Sequence, residues 1–410
     1  MLVLSILWLF VWGGIFTDIG NLSSPKLFSN TIYFIQGARS LLPLFVVFIC
    51  LIWILALRFR FTLHKSTVGF LFLYCLMGML ASLFVSPQPL VSFYWGALYL
   101  SPLLVVIASE QQEDSLQVLQ RILLLNYIIV LLIFAMLTPQ TIQIIRGSAP
   151  FLQFYNMPFG LGEVRVNGVG RYALIVAIIS FVRISYVKQK LRFLWLIPLS
   201  LALVTLAYTR SRTSLLGLGV ASMVFVYTKG INLRFFIIGP ITAYILYLSG
   251  YKWRAQQHVE NLIGLTGREY TWMRGLSRIK ESPLFGYGFH ADRLMIDSEH
   301  MHNTYLHAMI QSGILGGILM LLAMLSILGL IIKTKLFKVI RHFHGKEKIY
   351  LVDSVMIICF FIARSLFEST AAFYGVDLLF LVPAVAYVFV WTQKNIYNQE
   401  APAQQTVRAT

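Results

Sequence analysis

Residues 267–317 read GREYTWMRGLSRIKESPLFGYGFHADRLMIDSEHMHNTYLHAMIQSGILGG, a long polar block that passes through His302 and Asn303 straight into an apolar helix. Arg, Glu, Asp and His crowd this block, and the chain on either side of it is almost entirely apolar. Polar residues held at the rim of a membrane protein are costly near lipid, so a dense cluster of them is a functional-site hypothesis by default.

Composition sets the surroundings. Of 410 residues, 58% are hydrophobic, 14% aromatic and only 12% charged, which excludes a soluble globular domain. Apolar runs recur along the whole length, each closed by short polar or basic punctuation, the hydropathy pattern of spanning helices. Spans are expected near 1–17, 38–57, 66–85, 93–109, 122–138, 169–187, 193–209, 213–228, 235–250, 303–332, 349–366 and 376–392. The predicted fold is an all-α polytopic integral membrane protein of about twelve transmembrane helices. A large outer loop, 251–302, separates the ninth from the tenth and carries short amphipathic helices. Three regions are expected: N-terminal helices with a first outer loop over 1–168, a core over 169–392, and a polar tail over 393–410. The first run lacks a basic start and a small-residue cleavage pattern, so it reads as a retained span. Cys50, Cys75 and Cys359 fall inside apolar runs without paired spacing, which predicts neither a disulfide framework nor a metal site.

Basic residues sort by side. Arg58, Arg60, Lys65, Lys188, Lys190, Arg192, Lys229, Arg234 and the Lys333–Lys348 run share one face, cytoplasmic by the positive-inside rule, with both termini there. The opposite face is rich in arginine, including Arg39, Arg146, Arg165, Arg171, Arg210, Arg212, Arg268, Arg293 and Arg364. Guanidinium is planar, always charged and suited to bidentate phosphate or carboxylate recognition, so an anionic ligand is expected there. Lipid headgroups or plain solvation are the bland alternative for any one of them. Arg210 and Arg212 abut a span with no acidic neighbour and are the clearest pair.

Within the large loop, 269–281 is predicted to be an amphipathic helix along the membrane interface, with Trp272, Leu276 and Ile279 on one face and Arg274, Arg278 and Glu281 on another. Arg268 then sits in its first turn, where the helix dipole favours an anion, or is simply solvated there. His302 opens the next span, with His300 two residues earlier and Asn303 beside it. An imidazole that titrates near neutrality can take a proton from an attacking hydroxyl, although histidines at helix starts are often only caps. Asp297, Glu299, His300, His302 and His307 invite a metal reading, but their spacing matches no familiar pattern and the arginine excess repels a cation; no metal and no cofactor are expected.

The motifs Ser211-Arg212-Thr213-Ser214-Leu215-Leu216-Gly217, Gly267-Arg268-Glu269, Pro283-Leu284-Phe285-Gly286-Tyr287-Gly288 and His302-Asn303-Thr304-Tyr305-Leu306, followed by Gly313 and Gly316, resemble in order and spacing those of the O-antigen ligase and polymerase superfamily. Arg165-Val166-Asn167-Gly168 is similar to a further family element, although Gly170-Arg171-Tyr172 replaces the Asn-rich turn that often follows it. The resemblance covers roughly residues 160–320; the earlier spans agree only in number and hydropathy. It implies a metal-independent inverting glycosyltransferase of lipopolysaccharide biosynthesis, moving a glycan from undecaprenyl diphosphate at the periplasmic face of a Gram-negative inner membrane. It implies that Arg212 and Arg268 hold the donor diphosphate, with Arg210 and Arg165 in support, and that His302 acts as base with Asn303 and His300 beside it. A ligase acting on lipid A-core is favoured over a polymerase because the second outer loop dominates the first. A protein O-oligosaccharyltransferase is a further alternative, as is a transporter for lipid-linked oligosaccharide. The transporter is disfavoured because few ionisable residues lie within the spans and no half-chain symmetry is visible.

Overall fold

The computed structural model describes residues 1–15, 31–56, 66–146, 154–158, 162–209, 211–231, 252–254, 257–258, 268–296 and 300–397. The chain forms a helical bundle of α1 (Leu2–Gly13), α2 (Thr31–Ala56), α3 (Thr67–Phe84), α4 (Pro89–Glu110), α5 (Ser115–Ile145), α6 (Val166–Tyr186), α7 (Gln189–Thr209) and α8 (Arg212–Lys229). After the polar block come α9 (Arg268–Glu281), α10 (Ala291–Met295), α11 (Thr304–Lys333), α12 (Leu336–His342), α13 (Lys348–Ser365) and α14 (Val376–Thr392). Two small antiparallel hairpins interrupt the connections, β1 (Phe154–Asn156) with β2 (Glu163–Arg165), and β3 (Lys252–Arg254) with β4 (Gln257–His258).

Each expected span coincides with a helix except 235–250, which lies outside the described residues. Among the described residues, eight helices are long and apolar enough to cross a bilayer, and the chain is a multi-pass membrane protein. α5 runs through Pro139 to Ile145, and α6 begins at Val166, so the first outer loop is shorter than the sequence predicts. Cys50 and Cys75 are buried and Cys359 is half-buried, all without disulfide partners.

α4, α6 and α14 are almost wholly surrounded, whereas α2 and α7 present most of their surface outward. The centre is tied together where a proline breaks the helix ladder. Pro383 has no N–H to offer the carbonyl of Leu379, an acceptor that lipid cannot satisfy. Asn126 of α5 fills the gap, its Nδ2 donating to Leu379 O at 2.7 Å, while its Oδ1 accepts from Trp8 and Trp12 of α1 at 2.7 Å each.

The two ends of the bundle differ in charge chemistry. At the end where α6 stops and α13 starts, Lys229 lies 3.6 Å from the Tyr186 ring centre, with Lys348 at 5.8 Å from the same ring. Just inside, Arg183 pairs with Asp353 beneath the rings of Tyr127 and Tyr350. At the other end, where α6 starts and α13 stops, the cations include Arg165, Arg171 and Arg364, the last two paired with Asp377.

α11 is broken at Ser312 and Gly313, and the break explains the Pro283–Gly288 motif. That turn inserts into the opened ladder: Tyr287 N donates to Ile310 O at 2.9 Å, Gly288 N to Gln311 O at 2.8 Å, and Ile314 N to Pro283 O at 2.7 Å. Backbone groups freed by a kink must find partners, and these three bonds supply them. Close approach demands glycine on both sides. Gly286 (φ 66°) would drive a Cβ to 2.6 Å from Gly313 N, and a Cβ on Gly313 (φ 67°) would strike the backbone of Leu284.

A candidate active site at the end of the bundle

Two connections meet over α11 and build the site. Asn303 caps that helix, its Oδ1 accepting from Tyr305 N and Leu306 N at 3.0 Å each. Its Nδ2 reaches across to Leu366 O at 3.0 Å, and the Thr304 hydroxyl lies 2.9 and 3.0 Å from the carbonyls of Glu368 and Thr370. Residues 302–304 are thus bound to the α13–α14 connection, which Tyr74 and Tyr99 hold from the other side through Ala372 O and Ala371 O, 2.7 Å each. His302 itself takes a left-handed backbone (φ 47°), a strained conformation for a side chain of its size that these contacts maintain.

Glu368 is the hinge of the electrostatics. Its Oε2 stands 3.0 Å from His302 Nδ1, and its Oε1 stands 3.1 Å from Arg268 Nη2. Arg268 Nη1 also donates to Phe367 O. Burial pushes the Glu368 carboxyl up, but the hydrogen bond with His302 and the charges of Arg364, His302 and Arg268 outweigh it and hold the group at about 2. An ionised carboxylate accepts only, so His302 Nδ1 must carry the hydrogen between them. In the neutral ring this tautomer leaves the lone pair on Nε2. A carboxylate that fixes the tautomer and orientation of a histidine in this way is the arrangement found behind general bases.

His302 lines a cavity of about 230 Å³ whose walls carry Arg165, Arg171, Arg293, Arg364 and His300. Asp377 lies between two of these cations, Oδ1 at 2.8 Å from Arg171 Nη1 and Oδ2 against Arg364 Nη1. With four guanidinium groups against Glu368 and Asp377, the lining is cationic. His300 is held mostly uncharged: burial lowers its pKa well below the usual range, assisted by the charges of His307, Arg293, His302 and Arg165. The chemistry on offer is an oriented base beside a preformed anion site.

The expected site residues divide clearly. His302, His300 and Arg165 line the cavity, and Asn303 caps the helix behind them. Arg268 is the first residue of α9, bonded to Glu368 and not among the lining groups. Arg212 opens α8, and its neighbour Ser211 packs on Gly170, one residue from the cavity's Arg171. Arg212 is not among the lining groups either, and Arg210 lies outside the described residues. α9 matches the expected helix, but its buried residues are Thr271, Gly275 and Ile279, with Leu276 exposed. Met301 sets this face: its side chain occupies the space above Gly275, and its carbonyl accepts from Trp272 Nε1 at 2.7 Å. Glu368, Asp377 and Asp292 were not singled out from sequence. The signal for Glu368 was present, a carboxylate in a short connection on the arginine-rich side.

Spacing also hid one convergence. Asp292, His300 and His307 bring their ligand atoms within 4.8 Å of one another, a grouping assembled by α10, the connection ahead of α11, and α11 itself.

Residues 197–321 match the O-antigen ligase family. A second similarity is to the exopolysaccharide production protein ExoQ of Rhizobium meliloti (strain 1021), 32% identical over 78 residues, which is 15% of this chain and 18% of that protein. The aligned stretch therefore spans under a fifth of the curated relative. The family match covers the region that carries Arg212, Arg268 and His302, and both similarities point to the O-antigen ligase superfamily.

Proposed function

We propose that the protein transfers a glycan from a polyprenyl diphosphate, undecaprenyl diphosphate in the bacterial setting, to an acceptor hydroxyl at the periplasmic face of the inner membrane. O-antigen ligation to lipid A-core is the preferred reaction. The observation that carries this reading is the His302–Glu368 pair, 3.0 Å apart, set against a cavity walled by Arg165, Arg171, Arg293 and Arg364.

In this reaction His302 Nε2 takes the proton of the acceptor hydroxyl, and Glu368 stabilises the imidazolium that forms. The acceptor oxygen bonds to the anomeric carbon as the bond from that carbon to the diphosphate oxygen breaks, with inversion. Polyprenyl diphosphate leaves as an anion. Guanidinium groups held in place before reaction stabilise the charge as it develops. Arg268 acts by fixing Glu368, and Arg212 by meeting the donor from α8. The polyprenyl chain lies between helices in lipid.

The similarity to an exopolysaccharide production protein supports a second reading, extension of the glycan on its lipid carrier by the same chemistry. Glycan analysis of a deletion strain separates the two. Loss of a ligase leaves polymer on the carrier, and loss of a polymerase leaves single repeats attached to the acceptor. A strain with both distributions unchanged would contradict both readings.

A further inference from the structure

Asp292, His300 and His307 take no part in the transfer described above, yet their placement is specific. Asp292 Oδ2 is 3.6 Å from His307 Nδ1 and 3.9 Å from His300 Nδ1. Asp292 and His307 are each about 2% exposed, and neither Asp292 Oδ2 nor His307 Nδ1 has a hydrogen-bond partner. Buried polar atoms of this kind are rare in folded proteins and call for an explanation.

Placing the hydrogens sharpens it. His300 Nδ1 faces the backbone N–H of His302 at 3.4 Å and the Ser369 hydroxyl at 3.1 Å, so it carries a lone pair. Tyr74 has one hydroxyl hydrogen but stands against both Ala372 O and the Gln311 carboxamide. Donation to Ala372 O at 2.7 Å leaves the Tyr74 oxygen to accept from the Gln311 amide nitrogen, which turns the Gln311 oxygen toward His307. The two side chains are 2.7 Å apart, so His307 Nε2 carries the hydrogen and its Nδ1 a lone pair. The His307 Nδ1 lone pair thus faces the unpartnered Asp292 Oδ2, and His300 Nδ1 beside them holds a third lone pair, engaged by the His302 N–H and the Ser369 hydroxyl.

We propose that Asp292, His300 and His307 form a binding site for a divalent cation, with zinc as its ion. Separations of 3.6 and 3.9 Å from Asp292 Oδ2 to the two ring nitrogens suit an ion at bond lengths of about 2.0–2.2 Å, and two imidazoles with one carboxylate are a set that zinc accepts. Gln311 orients His307 through the ring nitrogen opposite the ion, the usual partner arrangement for a ligating histidine. An adjoining cavity of about 150 Å³ leaves room for a fourth, oxygen ligand. Arg293 lines that cavity and opposes a cation, and Asp292 supplies the counter-charge. Coordination displaces the two bonds to His300 Nδ1 and ties α10 and the segment before His302 to α11.

The site stands independently of the transfer reaction, because its test reads metal content. Tag-free, full-length protein in lipid nanodiscs is stripped with a chelator, titrated with zinc and followed by elemental analysis and thermal melting. Wild type is expected to retain one zinc per chain and to melt higher with zinc. Asp292→Asn and His307→Ala should weaken retention roughly tenfold or more, and exposed His344→Ala should leave it unchanged. Cobalt-loaded wild type gives a readout that needs no variant, a visible ligand-field absorption abolished by zinc. Wild type that shows no such absorption, or retains no more zinc than Asp292→Asn, overturns the proposal.

Discussion

Glu368 Oε2 lies 3.0 Å from His302 Nδ1, although 66 residues separate the two along the chain. The carboxylate also binds Arg268, so one buried side chain joins the start of α9, the start of α11 and the α13–α14 connection. Replacing Glu368 with Gln keeps the shape but removes the charge that fixes His302. We predict a fall in kcat of about a hundredfold or more with little change in KM. The check is a steady-state assay in proteoliposomes, and an equal rise in KM would instead point to a role in donor binding.

The cavity arginines should separate by partner. Arg165 packs over the Phe154 ring at 5.6 Å, and its guanidinium faces the cavity. Arg165→Lys keeps the charge and loses the planar fork, so donor KM should rise roughly tenfold. Asp377→Ala acts differently. It strips the shared carboxylate from Arg171 and Arg364 and should destabilise the fold by about 3–5 kcal/mol, read as a drop in melting temperature.

The turn that plugs α11 makes a stability prediction. Gly313→Ala forces a Cβ into the backbone of Leu284 while demanding a left-handed conformation, and should cost roughly 2 kcal/mol or more. Gly219, which has open space around it, is the control: alanine there should be neutral or slightly stabilising. Thermal melts of the two variants in one detergent decide this, and equal melting temperatures would argue against the plug.

Acid should weaken the site in a defined window. The folded-state pKa of Glu368 is depressed from 4.5 to about 2. Its contribution to stability is therefore fully present above pH 4.5 and is lost as pH falls from there toward 2. The size is on the order of 3 kcal/mol. Wild type should lose melting temperature across this window more steeply than Glu368→Gln, and parallel curves would remove Glu368 as the cause.

The described helices were legible because apolar runs and their punctuation are local properties. Arg165 and His302 stand out in the sequence because charge next to lipid is conspicuous, and both line the cavity. Contacts that depend on how helices pack were not. The Glu368–His302 and Arg171–Asp377 partnerships join segments distant in sequence, and the Asp292–His300–His307 cluster, though close in sequence, depends on how α10 packs against α11. Leu276 illustrates the same limit on a smaller scale: helical spacing assigned it to a buried face, but Met301 packs above Gly275 and shifts that face by about one residue. Asn126 was invisible in the same way, because its function is to satisfy a carbonyl freed by a proline on another helix.

His302 is proposed to be the base of a glycan transfer from a polyprenyl diphosphate. The most direct measurement is transfer by His302→Ala in proteoliposomes supplied with a defined polyprenyl-diphosphate-linked glycan and a lipid-borne acceptor, with donor binding measured on the same preparation. The variant should still bind donor but form glycosylated acceptor at least about a hundredfold more slowly than wild type. Transfer at the wild-type rate would contradict it.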